Sequence, residues 1–131
     1  MTTFTGFEKN ADAEALARRI AALVPDTAAF VFDRSYGVPT MTASWLIGGV
    51  DEDGVALGWR LVLIFGGEWE TPESPAPTIS RLNESEIEYV FDNVKTTLDA
   101  VDLSAANARR HAGEDIDDEI RIHIPETYFG F

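Results

Sequence analysis

The sequence contains no cysteine, only two histidines and two methionines, and two lysines beside eight arginines. The missing cysteine excludes a disulfide scaffold, a thiolate zinc site, an iron–sulfur cluster and a cysteine nucleophile. No apolar run approaches the roughly 18 residues that a membrane-spanning helix needs. The opening stretch, MTTFTGFEKNADAEALARR, lacks the basic-then-apolar order of a signal peptide. A cytoplasmic protein without a membrane contact is therefore expected. Basic residues are also scarce: 10 Lys and Arg stand against 23 Asp and Glu, a formal net charge of −13.

What is present is a chain of 131 residues, 45% of them hydrophobic. A chain of this size buries roughly two thirds of its unfolded surface, enough for a core without a metal or disulfide staple. One globular domain over 1–131 is expected, with no internal repeat or linker. The charge is uneven. Residues 1–65 carry 8 acids and 5 bases, and residues 66–131 carry 15 acids and 5 bases. A field of this sign repels phosphate backbones and anionic lipid and steers a basic partner toward the second half of the chain. The plainer source of the total is an acidic proteome, since many alanines and an arginine-to-lysine bias fit a GC-rich or salt-adapted organism.

Asp12 is placed to cap a helix from about Ala13, with Leu16, Ile20, Leu23 and Val24 on one face and Pro25 ending it. Phe30 and Phe32 alternate with Val31 and Asp33 in a strand over 28–34, and Ser35–Pro39 should turn. Two further alternating runs, Thr40–Ile47 and Trp59–Phe65, flank GGVDEDG, so Asp51–Gly54 is expected to be a hairpin turn. Residues 66–80, rich in proline and glycine, form a long loop. Asn83 and Glu86 make a capping-box pattern, and Ile87, Val90, Phe91, Val94, Leu98 and Val101 recur at helical spacing, predicting a helix over 84–101. Ser104 is placed to cap a short third helix that closes at Arg109–His111 before Gly113. Glu119–Ile124 alternates as a strand, with Ile120, Ile122 and Ile124 inward. The expected fold is α+β: a largely antiparallel four-stranded sheet in the order α-β-β-β-α-α-β, with two long helices packed on one face. Trp45, Trp59, Phe30, Phe32, Phe65 and Phe91 are expected in the core.

No motif in the chain specifies a reaction. There is no G-x-S-x-G, P-loop, G-x-G-x-x-G or H-E-x-x-H pattern, and His111 and His123 are the only imidazoles available as a base. No cofactor and no metal site are expected. The acidic run Glu114, Asp115, Ile116, Asp117, Asp118, Glu119 lacks the glycine and distal glutamate of an EF-hand loop. Asp51, Glu52 and Asp53 read as polar turn chemistry that also guards the hairpin edge.

Two acidic surfaces remain as candidates for contact with a partner. Glu84, Glu88 and Asp92 stand at successive i, i+4 positions, where like charges oppose helix formation by a few tenths of a kcal/mol each. Glu114, Asp115, Asp117 and Asp118 form the second. Trp69, between two glutamates in the loop, is a candidate aromatic anchor, and the Tyr128–Phe131 tail docks on its own domain or offers an apolar contact. The reading these residues favour is a non-enzymatic acidic protein that docks on and neutralises a basic protein such as a toxin, nuclease or effector. Immunity proteins, antitoxins and anti-defence inhibitors act in this way. The alternatives are a small enzyme or ligand-binding domain with a pocket between sheet and helices, and a structural subunit of a phage or oligomer.

Overall fold

The computed structural model describes residues 2–8, 11–33, 40–65 and 84–124. The expected turn at Ser35–Pro39, the 66–80 loop with Trp69, the capping residue Asn83 and the tail Tyr128–Phe131 lie outside the described residues. The elements run β1 (Thr3–Thr5), α1 (Ala11–Ile20) continued by a 3-10 turn over Ala21–Leu23, β2 (Ala29–Asp33), β3 (Thr40–Val50), β4 (Ala56–Phe65), α2 (Glu84–Val101), α3 (Leu103–His111) and β5 (Glu119–Ile124). The α+β class is as expected. The sheet differs: among the described residues it has five strands, not four, in the order β1-β2-β3-β4-β5, and it is mixed rather than largely antiparallel. Among the described residues there are three α-helices, of 10, 18 and 9 residues, so only α2 is long and α1 is nearly as short as α3.

Connection length explains the mixture. Strands β2, β3 and β4 pair antiparallel, whereas β1–β2 and β4–β5 pair parallel. Parallel neighbours need a crossover, normally helical. Helix α1 supplies it at one edge, and α2 with α3 supply it at the other.

All three helices lie on one face. Leu16, Ala17 and Ile20 of α1, Ile87, Val90, Val94 and Leu98 of α2, and Ala106 of α3 share one core cluster with Phe30, Met41, Trp45, Trp59, Leu61, Leu63, Ile120, Ile122 and Ile124. The sheet residues in that set have one parity in the register, for example Phe30 opposite Ala43, Ala43 opposite Leu61 and Leu61 opposite Ile120. The other face carries Arg60, Arg121 and His123, with Val62 and Ile64 buried as a separate small cluster.

Several local expectations are corrected. Helix α1 begins at Ala11, so Asp12 sits within its first turn rather than capping it. Asp102, not Ser104, caps α3: it adopts a left-handed conformation (φ 52°), and its carboxylate accepts a hydrogen bond from the Ala105 amide at 3.3 Å. Phe91 is only half-buried: it lies at the rim of the core, partly covered by the guanidinium of Arg19 of α1, 4.7 Å from its ring centroid. Phe32 is likewise half-buried, and Val101 is exposed. Trp45, Trp59, Phe30 and Phe65 are buried as expected.

Strand β1 pairs with β2 over three residues and is also anchored by aromatic side chains. Phe4 stacks on Phe30 with ring centroids 5.4 Å apart, and Phe7 stacks on Phe32 at 5.7 Å. Gly6 makes this possible, with φ +88° and a position where a Cβ would lie 2.3 Å from the Phe32 carbonyl oxygen. Gly6→Ala is therefore expected to destabilise the fold by about 1–3 kcal/mol. Urea unfolding checks this, and faster amide exchange at Thr3–Thr5 locates the damage at β1.

Candidate functional site

The β3–β4 hairpin is closed by the residues expected to close it. Asp51 accepts from the amides of Asp53 and Val55 through Oδ1 at 2.8 and 2.9 Å, while its own amide donates to the Val55 carbonyl at 2.8 Å. The Asp51 side chain is thus spent on the turn, and Glu52 and Asp53 project from it, exposed and without ion pairs among the described residues. Just before the turn the ladder slips between Leu46 and Val50, at Gly48–Gly49. Three of the most exposed large apolar side chains, Leu46, Val50 and Val55, lie on this hairpin at 67%, 61% and 60% exposure.

Helix α3 lies across the same end of the sheet and is tied there by two side chains. Asn107 accepts a 2.5 Å hydrogen bond from Trp59 Nε1. Arg110 donates to the Gly58 carbonyl and places its guanidinium 4.9 Å from the Trp59 ring centroid. His111 packs against Gly49, where a Cβ would come within 3.4 Å of the imidazole. The segment that follows α3 is thereby brought against the hairpin turn. A cleft of about 580 Å³ opens between them, bounded by Asp51, Glu52 and Asp53 on one side and Glu114 and Asp115 on the other.

The acids of the second run have unequal roles. Glu114 is held by Arg109 through two contacts, 3.1 and 3.3 Å. Asp117 Oδ1 accepts from the Glu119 amide at 3.0 Å, and the Asp118 carbonyl accepts from the Arg60 amide at 2.8 Å, which starts the β4–β5 ladder. The carboxylates of Asp115 and Asp118 are exposed and have no ion pair among the described residues.

Glu84, Glu88 and Asp92 are all exposed on α2, at a groove of about 770 Å³ shared with Ala15 and Arg19 of α1. Glu88 is partly accounted for structurally, since its carboxylate meets Arg19 at 2.7 Å. A solvent-exposed pair of this kind contributes about 0–1 kcal/mol. Glu84 and Asp92 have no ion pair among the described residues. The two acidic sets line different clefts, Glu84, Glu88 and Asp92 the groove against α1 and Glu114 and Asp115 the cleft at the hairpin turn. The structure thus does not merge Glu84, Glu88 and Asp92 with Glu114–Asp118. It instead brings Glu114 and Asp115 to the hairpin acids Asp51, Glu52 and Asp53, whose spacing reads only as turn chemistry, while Asp118 lines a separate cleft with Trp45, Leu46 and Arg60.

The two imidazoles lie on different sides of the sheet, His111 at the end of α3 and His123 on the face away from the helices, so they do not share a site. Among the described residues no three His, Asp or Glu side chains are arranged to hold a metal ion, and no helix is long and apolar enough to cross a membrane. Millimolar calcium or magnesium is expected to move the melting temperature only slightly, by screening surface charge. A saturable shift at micromolar metal, abolished by Asp115→Asn or Asp117→Asn, would contradict this. Comparison with protein-family models, with curated proteins and with solved structures gives no match for this chain.

Proposed function

We propose that this chain is a non-enzymatic, cytoplasmic binding protein that docks on a basic protein and neutralises it, in the manner of an immunity protein, antitoxin or other stoichiometric inhibitor. The observation that carries the reading is the state of its acids. Glu52, Asp53, Glu84, Asp92, Asp115 and Asp118 are exposed and without ion pairs among the described residues, in a chain with a net charge of −13. Unpaired like charges oppose the compact state, while they accelerate encounter with a partner of opposite sign. Nucleic acid and anionic membranes carry the wrong charge for this surface.

The test is co-purification of the tagged protein from its native host at low ionic strength, followed by a rising salt gradient. A defined stoichiometric complex with a basic protein, released by salt and inhibited in its own activity while bound, supports the reading. A stable partner that is acidic, or one that stays bound unchanged through the gradient, contradicts it.

A further inference from the structure

We propose that the cleft between the β3–β4 turn and the segment after α3 is the seat of the partner's basic segment, taking a lysine or arginine side chain whose aliphatic stem lies on an apolar floor. This inference rests on the reading of the chain as a binder of a basic protein. It adds where the contact is made and what enters it.

The floor consists of Val50, Leu57 and Ile116. Val50 is 61% exposed although it sits in a paired strand, opposite Ala56. The walls are Glu52 and Asp53 from the turn and Asp115 from the segment after α3, three carboxylates without ion pairs among the described residues. Arg110 and His111 also line the cleft. Arg110 donates to the Gly58 carbonyl and lies over the Trp59 ring, contacts that fix the guanidinium without neutralising it, while Arg109 is paired with Glu114, so Asp51, Glu52, Asp53 and Asp115 still leave the cleft negative.

An apolar floor beneath unpaired acids fits a long side chain with a methylene stem and a charged head, which buries the one and keeps the other at the rim. A bare divalent cation would leave the floor unused, and no three acids here are arranged as ligands. A second copy of this chain carries the same net charge of −13, which disfavours it as the occupant of an acidic cleft. The α2 surface is less suited to capture, because Arg19 already fills the cation position beside Glu88 and Phe91. It is left to act at a distance, on the encounter.

The probe is a short peptide alternating lysine and leucine, titrated into the isotope-labelled full-length protein at about 20 mM salt and followed by NMR. Saturable perturbations should centre on Val50, Leu57 and Ile116. Two control peptides separate the contributions: acetylating the lysines should abolish binding, and replacing the leucines by serine should weaken it. The variant Glu52→Lys/Asp53→Lys/Asp115→Lys should raise the Kd roughly tenfold or more, and Val50→Ser should raise it severalfold without changing its salt dependence. All four positions are exposed, so circular dichroism should show the fold intact. Perturbations confined to Glu84–Asp92, an unchanged Kd in the triple variant, or no binding to the wild type would each overturn the cleft. None of these would by itself decide whether the native partner is basic, which the salt gradient on the native complex answers separately.

Discussion

Replacing Phe30 by alanine should lower the unfolding free energy by about 3–5 kcal/mol, the range for emptying a fully buried phenylalanine site. Phe30 is 1% exposed, is stacked on Phe4, is paired with Ala43 in the sheet and belongs to the core cluster that α1 and α2 cover. Domains of this size are stable by only about 5–15 kcal/mol, so the melting temperature should fall by roughly 10–20 °C. Phe91 provides the comparison. Half-buried beneath the Arg19 guanidinium, it should lose clearly less on truncation, about 1–2 kcal/mol, from partial burial and a cation–π contact. Urea unfolding of both variants under one set of conditions measures the difference. Equal losses would mean that Arg19 does not form the boundary of the core at that point.

The second large effect is kinetic. Reversing Glu84 and Asp92 to lysine, with Glu88→Gln to avoid a like-charge contact at Arg19, should slow association with the native partner by roughly tenfold at low salt. Dissociation should be little altered, because charges that act by steering do not hold the docked complex. The fold should survive, since all three positions are exposed and the Arg19–Glu88 pair contributes about 1 kcal/mol at most. Stopped-flow mixing resolves the two rates. A change confined to dissociation would place α2 inside the docked interface.

Legibility of the fold followed the range of the interactions. Helix α2 was readable because its stripe of Ile87, Val90, Val94 and Leu98 is a local periodicity, and the hairpin because Asp-Gly between alternating runs is a local turn signal. Strand β1 left no such trace: three residues are too few to show alternation, and the stacking of Phe4 and Phe7 that anchors it depends on residues of β2. Strand β5 was readable as a strand, but its parallel alignment with β4 is a property of the crossover and not of its own residues. Phe91 sits on the apolar stripe by spacing alone, and only the placement of Arg19 shows that it is the rim.

The candidate site divides in the same way. Glu84, Glu88 and Asp92 share a face because i, i+4 spacing dictates it. The cleft combines residues 51–53 with 114–115, and what unites them is the docking of α3 through Asn107 and Arg110 onto Trp59 and Gly58. No spacing rule encodes that contact. The register shift at Gly48–Gly49 is likewise apparent only in the structure, where the His111 ring lies beside Gly49.

The most direct test of the central claim is the association rate of this protein with its native partner, measured from about 50 to 500 mM salt. The acidic-docking account predicts that the rate falls by at least roughly tenfold over this range while dissociation changes little. An association rate that does not depend on salt would contradict it, because the unpaired acids would then have no part in finding the partner.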